Sequence, residues 1–134
     1  MKIFKYIVGL FLAILFYGEI GVSAQEMSLE CAGTFKSIMP MTALSKSSPQ
    51  YKYLATETTD KDNLRITSDG YYAVAMGSYY GKLGDKFVVT FSNGQTTKVV
   101  KVDEKADAHT IGGRGMCMAS DGSIIEPILT TGDP

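Results

Sequence analysis

The chain has 134 residues and a mass of 14.5 kDa, room for one domain, with 45% hydrophobic and 20% charged residues, a globular balance rather than a disordered one. Thirteen basic and 14 acidic side chains leave a net charge of -1, which argues against a dedicated nucleic-acid binder and against a polybasic membrane patch. One His and two Cys exclude the usual closed zinc sites, which need four such ligands.

Lys2 and Lys5 precede an apolar run from Ile7 to Tyr17, too short for a bilayer span, and Val22-Ser23-Ala24 supplies small residues behind it. This pattern predicts a secretory signal peptide over residues 1–24, with a secreted or periplasmic location and no stable membrane span after cleavage. Cutting after Ala24 would leave 110 residues with 11 basic and 13 acidic groups. Export makes Cys31 and Cys117 a candidate disulfide, because they are the only two cysteines and an oxidising compartment favours the bridge. Closing so long a loop is worth roughly 4–5 kcal/mol on the chain-entropy account.

Residues 25–49 form a weakly patterned N-terminal segment. Cys31 to Ile38 has room for a short strand, Met39-Pro40-Met41 reads as a break, and Ser45 to Pro49 as a polar linker. Tyr51 to Leu54 fits a turn of helix or a short extended piece, and Thr56 to Asn63 a polar loop. From Leu64 the pattern is β. Ser68-Asp69-Gly70 signals a turn, Tyr71 to Met76 a buried strand, and Lys86 to Phe91 an alternating strand with Phe87, Val89 and Phe91 on one face. Asn93-Gly94 is the strongest hairpin signal, and Thr96 to Val102 is the β-branched return strand. Asp103 to Thr110 is charged, with room for a helical turn. Ser123 to Leu129 is a last strand containing Pro127, whose missing amide predicts an edge position or an early end. Short strands, frequent turns and little amphipathic helix predict a mainly β domain, either a small barrel or a sandwich.

The stretches Tyr72-Ala73-Val74-Ala75, Leu83-Gly84-Asp85-Lys86-Phe87-Val88-Val89 and Val99-Val100-Lys101-Val102-Asp103 together resemble the double-psi β-barrel domains of secreted peptidoglycan-active proteins. These include lytic transglycosylases, the three-aspartate group of cell-wall factors, and expansins. Tyr71 to Tyr80 and Val102-Asp103-Glu104-Lys105-Ala106-Asp107 resemble, more closely still, a group of small secreted or phage-borne bacterial barrel proteins. The likeness runs from Gln50 to Glu126. It implies a small six-stranded double-psi-like β-barrel with little helix over residues 50–134, and a peptidoglycan or other glycan partner. In the transglycosylase-like barrels an Asp in the last strand is the catalytic acid, and Glu126 stands at that position here. The family's first Asp is followed by a small turn, whereas Glu104-Lys105 follows Asp103.

The chemistry expected of these residues is acid/base cleavage. A lytic transglycosylase needs one carboxyl that protonates the glycosidic oxygen and then accepts the proton of the attacking sugar 6-hydroxyl. Such an acid must be partly desolvated. Glu126, among Ile124, Ile125, Pro127 and Ile128, is the expected acid. Asp103, between Lys101 and Lys105, is the expected orienting carboxylate, held ionised by those lysines. The competing expectation is that both carboxylates are structural or solvated, in a secreted module that binds glycan or protein without catalysis. Tyr79 and Tyr80 are the candidate sugar-binding side chains, although aromatic pairs also build small cores. His109 stands alone and is expected at the surface or groove rim, and no metal or cofactor is implied. Gly77-Ser78-Tyr79-Tyr80-Gly81 lacks nucleophile-elbow spacing, and Gly112-Gly113-Arg114-Gly115 lacks the strand–helix setting of a phosphate loop. Met39, Met41, Met76, Met116 and Met118 are expected as core filler.

Overall fold

The computed structural model describes residues 5–8, 13–16, 31, 38–91 and 93–132. Strands β1 (Lys5–Val8) and β2 (Ala13–Phe16), within the apolar run, pair antiparallel as a separate ribbon. No helix among the described residues is long and apolar enough to cross a membrane. The remaining described strands are β3 (Met39–Pro40), β4 (Thr58–Lys61), β5 (Leu64–Thr67), β6 (Tyr72–Gly77), β7 (Lys86–Thr90), β8 (Thr96–Lys105) and β9 (Glu126–Leu129), and among the described residues there is one α-helix, α1 (Pro49–Glu57). They form a mixed seven-stranded sheet in the order β3-β9-β5-β6-β8-β7, with β4 paired to β5 and a further pairing of β9 with β6.

Helix α1 starts where the sequence carries a strong start signal. Ser48 Oγ accepts the Tyr51 amide at 3.1 Å, and Pro49, with no amide to satisfy, takes the first helical position. So Ser45 to Pro49 is not merely a linker, and the boundary expected between 49 and 50 falls inside the first helical turn. At nine residues the helix is too short to persist alone and depends on packing. Leu54 supplies that packing, fully buried against Ala73, Val100, Val102 and Ile128. Arg65 of β5 closes the far end by donating to the carbonyls of Leu54 at 3.2 Å and Thr58 at 2.9 Å. The carbonyls left over at a helix end are thus partly satisfied from the neighbouring strand.

The polar stretch expected as a loop continues directly into β4. Asp62 and Asn63 have φ of 52° and 67°, two successive left-handed residues that join β4 to β5 through a two-residue hairpin loop. The Asn93-Gly94 turn does connect β7 to β8, but through a longer loop. Phe91 donates its amide to Gln95 O at 2.8 Å, the Gly94 amide donates to Phe91 O at 2.9 Å, and Gly94 has a φ of +86°. The left-handed backbone that the turn requires thus falls on a glycine.

Strand β6 is the centre of the sheet, buried from Ala73 to Gly77. It pairs in parallel with β8 and antiparallel with β5 and β9. Alternation divides its side chains between two cores. Val74 and Met76 pack with Tyr80, Phe87, Val89 and Val99 on one face, and Ala73 packs with the α1 layer on the other. Cys31 and Cys117 are bonded in the first core with Cα atoms 5.8 Å apart, as expected.

The chain is mainly β, but the sheet is open, with β3 and β7 at its two ends, where a closed six-stranded barrel was expected. Three further expectations change. Met39-Pro40 is no break, since β3 pairs in parallel with Ile128 and Leu129 of β9. Pro127 sits inside the sheet opposite Val74 of β6. It is tolerated there because β3 reaches only Ile128 and Leu129, so no described strand requires its amide from that side. The charged stretch after Val102 remains strand as far as Lys105, and turns helical only at Asp107–His109. The strand expected from Cys31 to Ile38 lies outside the described residues apart from its two ends.

Candidate groove across strand β6

The candidate acids meet through the sheet register. Ala75 of β6 pairs with Asp103 of β8 on one side and with Glu126 of β9 on the other. Paired residues in neighbouring strands share a face, so both carboxyl side chains stand on the face of Ala75. Their backbones are two strand spacings, about 10 Å, apart. Ala75 stands between them and is only 1% exposed, so the space over it that the two longer side chains border, the candidate groove, is covered rather than open. Both residues are half-buried.

A bulge sets this arrangement. Lys101 pairs with Val74, but Asp103 pairs with Ala75, leaving Val102 as the extra residue. Strict alternation would put Lys101, Asp103 and Lys105 on one face. The bulge instead sends Lys101 to the Val74 face and leaves Asp103 and Lys105 on the face of Ala75 and Gly77. On its own side the Lys101 ammonium is 1% exposed and donates to Gly77 O at 2.9 Å, Gly81 O at 2.6 Å and Glu104 Oε1 at 2.8 Å. It therefore clamps the end of β6 and the turn that follows.

The electrostatics depart from the expected division of labour. Burial pushes the Glu126 carboxyl above the ordinary range; Lys105 acts against this, and Asp103 and Asp121 add to it. Burial also pushes Asp103 up, opposed by the Glu104 amide that its carboxylate accepts, reinforced by the Glu104 charge and opposed by Lys101. Asp103 is thus not simply held ionised between two lysines. Desolvation dominates both groups, and either is better prepared than a surface carboxyl to hold a transferable proton.

Two further groups complete the groove, and neither was among the expected site residues. Lys105 is only 6% exposed and donates to Ser123 Oγ at 3.3 Å. Burial pushes the Lys105 ammonium down, against the pull of Glu126 and Asp121. Ser123 is fully buried, and its amide donates to Asp121 Oδ1 at 2.9 Å just before the chain enters β9. Lys105 was within reach of sequence reasoning, because it lies two residues from Asp103 on one strand. Nothing in the sequence marks Ser123.

The segments that follow β6 and β8 meet at the end of the candidate groove. Ser78, after β6, donates its hydroxyl to Asp107 Oδ1, and the Tyr79 amide donates to Gly115 O at 3.2 Å. Thr110 Oγ1 donates to Asp107 O at 2.6 Å and accepts the Gly115 amide at 2.8 Å. Gly77 has to be glycine, since a Cβ there would lie 1.8 Å from Gly115 O. The 107–117 segment therefore walls the groove beyond Ala75. His109 is exposed in this wall.

The two tyrosines divide. Tyr80 is 1% exposed in the first core, with its ring against Tyr79 edge to face at 5.3 Å between centroids. Its ring is interior, which corrects its expected place as a sugar-binding side chain; Tyr79 is half-buried. An apolar cavity of about 390 Å³, walled by Leu64, Tyr72, Phe91, Val99 and Pro127 among others, opens on the side of Val74 and Pro127. It is on the other face of the sheet from the carboxyl pair, and no carboxyl, amine or imidazole of the described residues lines it. Among the described residues no group of three or more His, Cys, Asp or Glu is arranged to hold a metal ion. Compared with known proteins, the chain matches no family model, no curated protein and no solved structure.

Proposed function

We propose that this is an exported β-domain that acts on bacterial cell-wall glycan, with Glu126 as the general acid and Asp103 as its partner in a lytic-transglycosylase-like cleavage. The observation that carries the reading is the alignment of both carboxyls with Ala75, half-buried on one face and both displaced towards the protonated form. The excursion from β6 through β7 to a parallel β8 supports a double-psi-like arrangement. The Cys31–Cys117 bridge supports an oxidising, extracytoplasmic location. Glu126 would give its proton to the departing glycosidic oxygen, and the resulting carboxylate would accept the proton of the sugar 6-hydroxyl as that oxygen closes on the anomeric carbon. Asp103 would orient the sugar and raise the proton affinity of Glu126. Tyr79 remains the candidate for stacking against a ring.

The test is incubation of the chain with purified sacculi. Wild type should release anhydro-muropeptides, and Glu126→Gln, which keeps shape and removes the transferable proton, should lower release by roughly 100-fold to 10,000-fold. Asp103→Asn should cost less. A second reading, a non-catalytic glycan- or protein-binding module, is favoured by the 1% exposure of Ala75, which leaves little open space between the two carboxyls. It predicts no product, with co-sedimentation on sacculi that survives Glu126→Gln and falls when Tyr79 is replaced. A wild-type chain that neither cleaves nor binds sacculi would overturn both cell-wall readings.

A further inference from the structure

Strand β8 carries two buried lysines that are used differently. Lys101 has three acceptors for its three ammonium donors. Among the described residues Lys105, almost equally buried, donates one hydrogen bond, to a neutral hydroxyl at 3.3 Å. A buried ammonium is costly unless it is paired or hydrogen-bonded. Its place is defined by the register. Lys105 pairs with Gly77, the residue after next from Ala75 on the same face, where no side chain intervenes. Its anchor, Ser123, lies three residues before Glu126 and is tied to Asp121.

We propose that Lys105 is a positioning residue for Glu126: its buried ammonium, anchored on Ser123 three residues before Glu126 and set on the same face of β6, stabilises the carboxylate left when Glu126 gives up its proton. In the proposed cleavage this favours the step in which the bond between the anomeric carbon and the glycosidic oxygen breaks as that oxygen takes the proton. The acid is restored when the carboxylate receives the 6-hydroxyl proton. Lys105 itself gains and loses nothing. The charged groups that face Glu126 are then Lys105 and Asp103 from β8 and Asp121 from the turn before β9, and those that face Lys105 are Glu126 and Asp121. Asp103 and Asp121 raise the proton affinity of the acid, and Lys105 restrains it. Use of this device in catalysis rests on the acid/base reading of Glu126, whereas the coupling itself needs no substrate.

The experiment follows the Glu126 side-chain carboxyl by carbon-13 NMR through a pH titration of the disulfide-bonded chain. Lys105→Met keeps the apolar stem and removes the charge; the Glu126 midpoint should rise by on the order of one unit, the size of effect an adjacent opposite charge produces. Lys105→Arg should hold it near wild type, which loss of packing alone would not explain. A midpoint unmoved in Lys105→Met overturns the proposal. If Lys105→Met fails to fold, Glu126→Gln provides the reciprocal arm. Removing the carboxylate should lower the midpoint of the Lys105 ammonium, followed by nitrogen-15 NMR, because coupling between two sites is mutual; an unchanged midpoint there also overturns it. Coupling without any glycan cleavage supports the positioning and overturns the acid/base reading. Glu126-dependent cleavage without coupling overturns the Lys105 proposal alone.

Discussion

The two faces of the β6–β8 ribbon handle buried charge in opposite ways. On the Val74 face the disulfide, the aromatic and β-branched core and Lys101 form a closed framework, in which the ammonium meets two carbonyls and a carboxylate. On the Ala75 face, beyond the α1 layer, Asp103, Glu126 and Lys105 are partly or fully buried with fewer partners, and burial displaces all three from their ordinary proton affinities. A buried charge that is fully hydrogen-bonded belongs to the scaffold. A set of buried charges left incompletely satisfied raises the free energy of the fold and persists where a site uses it. The switch between the two faces is one bulged residue, Val102.

Four variants test this contrast, in order of expected effect. Replacing Cys31 and Cys117 by Ala should destabilise the chain most, by about 2–5 kcal/mol, read from urea midpoints, because the bridge closes a separation of 86 residues within the framework core. Lys101→Met should follow, at roughly 2–4 kcal/mol, since it removes the buried donor of the Gly77 and Gly81 carbonyls, whereas the exposed Glu104 carboxylate returns to water. Gly77→Ala should cost about 1–3 kcal/mol through the collision with Gly115 O, and should displace the 107–117 wall, visible as changed amide shifts at Tyr79 and Gly115. Lys105→Met should lie within about 1 kcal/mol of wild type, because relief of a buried charge offsets the lost bond to Ser123. Comparable losses at Lys101 and Lys105 would break the contrast.

The smallest effect has a distinctive pH dependence. A carboxyl whose proton affinity is raised by folding favours the native state while protonated and opposes it once ionised. Asp103 and Glu126 should therefore subtract stability as pH climbs from the ordinary carboxyl range through their raised native values. The double variant Asp103→Asn, Glu126→Gln should unfold at a higher temperature than wild type at pH 7, with the advantage vanishing near pH 3. Because both groups are half-exposed, the gain should be smaller than the roughly 4–8 °C that 1 kcal/mol is worth in a domain of this size. Lys105 has the opposite sign. Its lowered proton affinity opposes folding in full below its native value, and the penalty declines as pH rises from there to the ordinary lysine range.

The strands with strong local pattern were legible in the sequence. Of Tyr71 to Met76, Ala73 to Met76 are buried because β6 is the central strand, and Phe87 and Val89 face one core because β7 alternates. The start of α1 was also written in Ser48-Pro49, although the low amphipathicity of the nine residues that follow obscured it. The β4–β5 hairpin was hidden because Asp62-Asn63 reaches left-handed backbone without glycine. Of the site, Glu126 and Asp103 came from family resemblance, and the register brings them to one residue. Their charge balance was not legible, because it depends on a bulge that local sequence does not mark. Lys105 and Ser123 acquire meaning only through a contact between residues 18 apart.

The central claim is that Asp103 and Glu126 border one groove across Ala75 and act on each other. It is tested most directly by the titration midpoint of the Glu126 carboxyl in wild type and in Asp103→Asn. Asp103 raises the proton affinity of Glu126, so its neutralisation should lower that midpoint while leaving it above the value of a solvated glutamate, where burial keeps it. A midpoint that does not move on neutralising Asp103, or one that lies at the solvated value in wild type, would contradict the account.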